Sequence, residues 1–164
     1  MWIVSKLILN KRYSKNNYKK YVKSANDAYA FMMGMDEYKG SIDQAPLFLQ
    51  DVYICTVFLC DALNSSIYLF FLDEKDSRYK DRVGQSLRNC GLDDVANIYD
   101  LAYVNLGKID IDFSKGLNNF KNSLSQNIQY NINFYEEELA QIHGENAQIY
   151  ERLNEYLVNK LEEN

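Results

Sequence analysis

The residue types that could carry out catalysis do not occur in a recognisable catalytic arrangement. The single histidine, His143, stands beside Gly144, and the chain has no serine in a Gly-x-Ser-x-Gly frame. We therefore expect His143 near a helix end rather than in the role of a general base. Cys55, Cys60 and Cys90 lie in apolar runs, which predicts buried, reduced and unreactive thiols. Phosphate-loop, dinucleotide and zinc-protease motifs are missing from the sequence. The sequence predicts a protein that is not an enzyme and uses no cofactor and no metal.

Carboxylates are the remaining candidates for acid–base or metal chemistry. The segment Asp73-Glu74-Lys75-Asp76 has some character of a calcium loop but lacks its central glycine and terminal glutamate. Asp110-Ile111-Asp112 is a short pattern that is common by chance. Glu136-Glu137-Glu138 lies in a helical segment, where neighbours point about 100° apart and cannot chelate one ion together. A small enzyme with a carboxylate site is therefore the weakest of the alternatives.

The charges are distributed unevenly along the chain. The net charge is −5, yet residues 1–23 carry seven basic groups and no acid, whereas residues 24–164 carry eleven basic groups against all 23 acids, a balance of −12. We divide the chain accordingly into a basic N-terminal arm or first helix, residues 1–23, and an acidic helical domain, residues 24–164. Solubility explains the acidic faces as well as a binding function does. The arm could bind phosphates, but packing on the domain's own acids is favoured, so we expect no direct nucleic-acid partner.

Helical periodicity accounts for most of the acidic domain. Pro46 suits the first turn of a helix, and Leu47 to Leu63 is apolar on nearly every side, as in a helix at the centre of a domain. Ser65 or Ser66 can cap a short helix from Ile67 to Leu72. Asp76 or Ser77 can cap the next helix, whose buried face is Tyr79, Val83, Leu87 and Cys90, with Gly91 as terminator.

The remaining segments follow the same pattern. A helix is expected from the Tyr18 region to about Met33, ending near Gly34, and another starts at Asp93 or Asp94 with Val95, Ile98, Ala102 and Leu106 buried. Residues 108–125 are predicted to form a long loop with at most one helical turn. Two helices close the chain, from about Asn127 to His143 and from about Glu145 to Leu161. The prediction is an all-α, compact single-domain bundle of about six to seven helices around a central apolar helix.

Cellular location is predicted from the cysteines and from the lack of targeting signals. Three cysteines without a Cys-x-x-Cys pair suit a reducing compartment. The apolar segment 2–9 is short, is interrupted by Lys6 and does not resemble a signal peptide. We expect no segment long enough to span a membrane. The predicted location is the cytoplasm.

Several segments together resemble one known family. Residues 63–71 combine the end of a core helix, a turn that begins at Asn64 and the paired aromatics Phe70-Phe71. Gly91 then closes the next helix, and residues 94–98 open the following one. Asn133-Phe134-Tyr135 is similar to an acidic-aromatic-aromatic motif, and residues 149–157 are similar to a final helix. Over roughly residues 45–160 the chain resembles the small helical bacterial family typified by a dimeric DNA mimic protein that binds a transcription factor and keeps it from its operator.

This chain also departs from the family pattern. Ser65-Ser66 stand where the family has two glycines, and Asn133 replaces an acid. The basic arm is not part of the pattern. The resemblance implies a non-catalytic protein-binding inhibitor, in its sharpest form a DNA mimic that occupies the basic cleft of a nucleic-acid-binding protein. It also implies a homodimer. Aromatic side chains that a small domain leaves exposed would favour a dimer further. The aromatics considered for this role are Phe31, Tyr68, Phe70 and Phe71.

The physical basis of mimicry gives the candidate residues. Phosphate contacts supply much of the affinity of DNA-binding proteins, and carboxylates held on rigid helices can present a similar array of charges. The densest acids lie in residues 73–112 and 136–138, and the candidates for partner binding are Asp73, Glu74, Asp76, Asp93, Asp94, Asp110, Asp112, Glu136, Glu137 and Glu138. The alternative is an immunity or anti-defence protein that plugs a toxin or nuclease. A concave acidic patch with an apolar centre would favour the plug.

Overall fold

The structure, a computed structural model, describes residues 12–13, 17–39, 41–109, 112, 116–144 and 148–163, without the side chains of Tyr38 and Lys39. About 80% of these residues are helical and none lies in a strand, which confirms the predicted all-α class. The α-helices within these ranges are α1 (Tyr18–Tyr21), α2 (Ala25–Lys39), α3 (Leu47–Asn64), α4 (Ile67–Leu72), α5 (Lys80–Asn89), α6 (Asp93–Leu106), α7 (Leu117–Ser123), α8 (Gln126–Gly144) and α9 (Gln148–Glu163). The predicted count of six to seven was too low, because the first segment is split in two and a helix lies in the expected loop.

The first helical segment breaks at residues 22–24. Val22 is extended and fully buried, and the Ser24 hydroxyl accepts a hydrogen bond from the backbone N–H of Asp27 at 3.2 Å, so that α2 starts afresh. Helix α2 then passes through Gly34 instead of ending there. The ring of Tyr13 lies against Gly34, where any larger side chain would clash. This glycine allows close packing and does not terminate the helix.

Helix α3 forms the core, as the all-round apolar pattern predicted. Every residue from Phe48 to Leu59 is buried, and the helix packs against α2, α4 and α5. Its buried polar groups have partners: the Asp51 carboxylate accepts a hydrogen bond from the Ser86 hydroxyl at 2.8 Å, and Gln50 Nε2 donates to the Ala45 carbonyl at 2.8 Å. The Ser86–Asp51 hydrogen bond holds α3 against α5 and offsets part of the cost of burying the carboxylate.

Helix α3 also corrects the expectation about membrane-spanning length. Among the described residues it is one helix whose length and mean hydropathy of 1.4 would be sufficient to cross a bilayer. However, 67% of it is buried inside the protein, which is the environment of a core helix. Length and composition do not distinguish the two cases, because both require a helix that is apolar on all sides.

The caps around α4 and α5 differ in part from prediction. Ser66 caps α4 by accepting a hydrogen bond from the Tyr68 N–H at 3.2 Å, as expected. Asp76 and Ser77 make no side-chain cap at the start of the following helical segment, which begins as the 3₁₀ turn Ser77–Tyr79. Beyond α5, Gly91 has a φ of 72°. This is the predicted left-handed terminator, a conformation that glycine adopts without strain.

The segment predicted as a loop at residues 108–125 contains α7. Phe120 is its buried residue, and its ring packs edge-on against Tyr68 with ring centres 6.4 Å apart. The helix is stabilised mainly by this tertiary contact, since its sequence, rich in Asn and Ser, has weak helix propensity. Helices α6 and α8 pack directly on each other, and α9 buries Ile149, Leu153 and Leu157.

The aromatic residues considered for a dimer interface are buried in the single chain. Phe31, Tyr68, Phe70 and Phe71 are at most 3% exposed in the single chain. They are not available to cover a dimer interface, so the expectation that a small domain would leave them exposed was wrong. The aromatic rings pack in edge-to-face pairs, for example Phe58 with Phe70 at 5.4 Å.

Candidate protein-binding surface

The predicted acidic residues fall into separate parts of the fold. Asp73, Glu74 and Asp76 lie between α4 and α5, whereas Asp93 and Asp94 start α6 and the three glutamates lie on α8. Asp110 lies outside the described residues, and Asp112 is exposed. Because α6 packs on α8, the structure brings the second and third groups to one surface.

The acids between α4 and α5 mainly build a turn. Asp73 Oδ1 accepts hydrogen bonds from the N–H groups of Lys75 at 2.8 Å and of Asp76 at 3.0 Å. Asp76 is half-buried, and burial, followed by the charge of Asp73, raises its pKa. Glu74 is exposed. Of these three acids, only Glu74 is both exposed and without a structural hydrogen bond in the described residues.

Asp94 forms a two-pronged ion pair with Arg152 of α9. The guanidinium donates from Nη1 to Oδ2 at 2.8 Å and from Nη2 to Oδ1 at 3.0 Å, and it also donates to the Gly91 carbonyl. These hydrogen bonds hold the pKa of Asp94 below its usual value, against the opposing effect of partial burial. The charge of Asp94 is therefore largely compensated within the protein.

Glu136 has a structural role as well. Its Oε1 accepts hydrogen bonds from the Ser66 hydroxyl at 2.5 Å and from the Ile67 N–H at 2.8 Å. A carboxylate at the N-terminus of a helix satisfies an otherwise unpaired N–H and interacts favourably with the helix dipole. Glu137 is exposed and Glu138 half-buried, and neither forms an ion pair within the described residues.

A groove runs between α6 and α8. It encloses about 290 Å³, and its lining residues are Asp94, Asn97, Ile98 and Leu101 of α6 with Glu138, Gln141 and Ile142 of α8. Two contacts show that the helices run antiparallel. The groove joins the start of α6 to the end of α8, and at the other end Asn131 Nδ2 donates to Asn105 Oδ1 at 3.4 Å. The groove thus has a carboxylate on each wall.

Exposed apolar side chains continue the groove toward its other end. Leu101 is 48% exposed, Val104 74%, Phe134 48% and Tyr130 73%. Continued from the Asn131–Asn105 contact, the antiparallel pairing places Leu101 level with Tyr135, next to Phe134, and Val104 level with Ile132, two residues from Tyr130. Residues three or four apart share one face of a helix, so the four exposed residues extend the rows that begin at the groove. We call the four residues, together with Asp93, Glu137 and Glu138, the α6–α8 surface.

The charge on these two helices has one sign. Together α6 and α8 carry six carboxylates and no lysine or arginine. Two of the six are paired with cations from other helices, since Asp100 binds Arg88 at 2.6 Å and Asp94 binds Arg152. A third, Glu136, is hydrogen-bonded to the start of α4. Asp93, Glu137 and Glu138 are left as the exposed or half-exposed charges of the surface. The arrangement can attract a positively charged partner and offer it apolar contacts.

The apolar half of this surface was not predicted from the sequence. A signal was present: Val95, Ile98, Ala102 and Leu106 form the buried stripe of α6, which puts Leu101 and Val104 out of phase with the core. Large apolar residues on the solvent side of an amphipathic helix point to a contact that the single chain does not make.

A second group of titratable residues lies at the far end of α3. Burial, with smaller contributions from Asp76 and Asp73, raises the pKa of Asp61 to about 6, and its Oδ2 has no hydrogen-bond partner within the described residues. His143 packs edge-on against Tyr150 at 6.0 Å. Within the described ranges no three histidine, cysteine, aspartate or glutamate residues are placed to hold a metal ion.

Comparison with known proteins identifies no relative. No protein-family model matches the chain, and neither a curated protein nor a solved structure matches it at a significant level.

Proposed function

We propose that this protein is a non-catalytic inhibitor that acts by binding a basic, nucleic-acid-binding protein. The observation that carries the proposal is the one-signed charge of two packed helices, α6 and α8, which hold six carboxylates and no lysine or arginine. A surface of this kind attracts a basic partner over several ångströms and speeds their encounter. The family resemblance points to the same class of function.

The apolar part of the α6–α8 surface favours a plug over a pure charge mimic. Asp94 and Asp100 are paired with arginines and Glu136 is bonded to the start of α4, which leaves three of the six carboxylates for any phosphate-like array. Leu101 and Phe134, by contrast, offer apolar area that a DNA backbone does not have. A plug of a toxin or nuclease is therefore the form of inhibition that the geometry supports best. DNA mimicry is the second candidate and rests on the remaining acids.

Competition with DNA tests whether the protein occupies the partner's nucleic-acid-binding cleft, as DNA mimicry requires. The partner is first isolated from the native host by pull-down and identified by mass spectrometry. Duplex DNA is then titrated into the purified complex at several salt concentrations. Two results together support a contact in the partner's basic cleft: DNA displaces this protein from the complex, and the affinity of this protein for the partner falls steeply as the salt concentration rises. A partner whose binding responds to neither DNA nor salt would exclude mimicry.

Charge variants test whether the proposed surface is used. Glu137→Gln together with Glu138→Gln should weaken binding by about tenfold and reduce its salt dependence. The matched control is Glu155→Gln together with Glu162→Gln, which removes the same charge from α9. Equal losses in the two double variants would contradict the α6–α8 surface as the contact.

We also propose a cytoplasmic location and a homodimer. The location rests on the three cysteines, which form no Cys-x-x-Cys pair and suit a reducing compartment. The homodimer now rests on the resemblance alone, because the aromatics that favoured it are buried. Light scattering at micromolar concentration should give twice the 19.2 kDa of the chain. A monomer mass throughout would contradict the homodimer.

A further inference from the structure

We infer that the α6–α8 surface receives an amphipathic helix of the partner, apolar on one side and carrying lysine or arginine on its edge. This inference rests on the proposed function and adds the form of the partner's contact. Exposed apolar residues and exposed acids lie side by side on this surface. The apolar residues are Leu101, Val104, Tyr130 and Phe134, and the acids are Asp93, Glu137 and Glu138.

The shape of the surface suits a helix. Two antiparallel helices leave a groove between them, and the exposed rows Asn97, Leu101 and Val104 on α6 and Tyr130 and Phe134 on α8 flank it along about two helical turns. An incoming helix presents apolar residues at intervals of three and four, which match that length. An extended strand would need an open sheet edge, and none exists within the described residues.

The charges select the partner's sign. Acids lie at the end of the surface formed by the start of α6 and the second half of α8. The nearby cations Arg152 and Arg88 are already paired with Asp94 and Asp100. Lys108 follows α6 at the opposite, apolar end. The partner helix should therefore carry its positive charges beside Glu137 and Glu138 and its largest apolar residues beside Leu101 and Phe134.

Charge also argues against a second copy of this chain on the same surface. A two-fold contact would place each α6–α8 surface against itself. A parallel two-fold contact would bring Asp93, Glu137 and Glu138 of both copies together, and an antiparallel one would cover them with the apolar end of the other copy. In both arrangements α6 and α8 supply no lysine or arginine to compensate these acids. A basic partner instead compensates these carboxylates with its own lysine or arginine residues.

The experiment uses the whole protein and a synthetic probe. The probe is a peptide of about eighteen residues with leucine along one helical face and lysine on the other. Two control peptides have the same composition in scrambled order and the same pattern with glutamate in place of lysine. Fluorescence anisotropy measures affinity, and amide chemical shifts locate the contact. The expected result is binding of the patterned basic peptide at least about tenfold tighter than either control, with shifts concentrated on α6 and α8.

Variants of exposed apolar residues test the centre of the contact. Leu101→Ser and Val104→Ser should each lower the affinity for the patterned basic peptide by about tenfold, since central apolar anchors dominate such interfaces. Leu47→Ser is the matched control, because Leu47 is as exposed as Val104, at 74%, but lies at the start of α3. Far-ultraviolet circular dichroism and urea unfolding show whether each variant keeps its fold. A loss of affinity shared by Leu47→Ser would overturn the assignment.

The inference and the proposed function fail in different ways. If the scrambled peptide binds as well as the patterned one, and the serine variants change nothing, the helix inference is overturned while attraction of basic partners stands. If Glu137→Gln with Glu138→Gln leaves the affinity unchanged and the acidic peptide binds equally, the basic partner of the proposed function is excluded. Absence of any binding at millimolar peptide overturns the helix inference.

Discussion

Glu136 and Ser66 meet at the start of α4, although they lie 70 residues apart in the sequence. The Ser66 hydroxyl donates to Glu136 Oε1, and the same hydroxyl oxygen accepts a hydrogen bond from the Tyr68 N–H. Glu136 in turn accepts from the Ile67 N–H at 2.8 Å. Two of the first N–H groups of a six-residue helix are thus satisfied by side chains from two different elements. This contact ties α8 to the short helix that fills the space between α3 and α6.

Replacement of Glu136 by alanine should therefore destabilise the protein. The loss of a helix cap costs about 0.5–2 kcal/mol, and we expect about 1 kcal/mol here. Urea unfolding followed by circular dichroism measures it. The control is Glu137→Ala, one residue along the same helix but exposed, which should change stability by less than about 0.5 kcal/mol. Equal stability of the two variants would mean that the Ser66–Glu136 contact does not stabilise α4.

The pair formed by Asp94 and Arg152 should also stabilise the fold, more modestly. Both side chains are partly exposed, with 42% and 32% of their surface accessible, so solvent screens their interaction and the expected coupling is about 0.5–1 kcal/mol. A double-mutant cycle with Asp94→Asn and Arg152→Gln measures it. The exposed pair Lys160–Glu163, three residues apart on α9, should give about 0.2–0.5 kcal/mol. A coupling near zero for Asp94 and Arg152 would contradict the prediction.

The pH dependence of the Asp94 contribution follows from the direction of its pKa. The folded-state pKa lies below the usual 3.8, so the stabilisation is complete above that value and is lost as the pH falls through the lower, folded-state pKa. The free energy of unfolding should therefore fall less steeply below pH 3.8 in the Asp94→Asn variant than in the parent protein. The same slope in both proteins would show that Asp94 is not held in its charged form.

Much of the fold could be predicted from local sequence, because local physical chemistry determines it. The all-round apolar α3, the Ser66 cap, the buried stripe of α6 and the left-handed Gly91 all depend on residues close together in the chain. The split between α1 and α2 could not be predicted, because the extended Val22 is held by burial in the tertiary structure. Helix α7 was missed for the same reason, since Phe120 is stabilised by Tyr68.

The candidate surface was less predictable than the fold. The sequence identified Asp93, Glu137 and Glu138 as charged candidates, but only the packing of α6 on α8 brings them together. It placed Asp94 at the start of a helix, but it could not identify the ion pair of Asp94 with Arg152 or the cap formed by Glu136, since their partners lie 58 and 70 residues away. Caps and ion pairs between distant elements have no periodic signature.

The three cysteines should differ in reactivity. Cys55 and Cys90 are buried as predicted, whereas Cys60 is only half-buried, which corrects the expectation for that residue. Burial raises the pKa of both Cys55 and Cys60. Alkylation of the native protein should modify Cys60 first and Cys55 and Cys90 much more slowly, with peptide mass spectrometry as the measurement. Cys55 reacting as fast as Cys60 would contradict this order.

Alanine at the same positions should show a matching order in stability. Cys55→Ala and Cys90→Ala each remove packing from the core and should cost on the order of 1 kcal/mol or more, while Cys60→Ala should cost less. Binding of the partner should survive all three substitutions, because none of the thiols lies on the α6–α8 surface. Urea unfolding measures the stability of each variant, and loss of binding in a folded variant would give the thiol a function.

Asp61 should make the protein more stable in mild acid than at neutral pH. Burial raises its pKa to about 6 in the folded protein, from a usual value of 3.8. The folded state therefore binds the proton more tightly than the unfolded chain, and the stabilisation, complete below the unfolded value, is lost as the pH rises through about 6. Asp61→Asn should remove this decline and raise stability at pH 7, by on the order of 1 kcal/mol after allowance for solvent screening of a partly exposed group. Urea unfolding between about pH 4 and 8 measures the effect.

The control is Glu74→Gln, which removes an exposed carboxylate from the nearby turn and should leave the pH dependence of stability as it is in the parent protein. If Asp61→Asn is less stable than the parent at pH 7, the buried carboxylate has a partner that stabilises its charge, and its pKa would lie below 6.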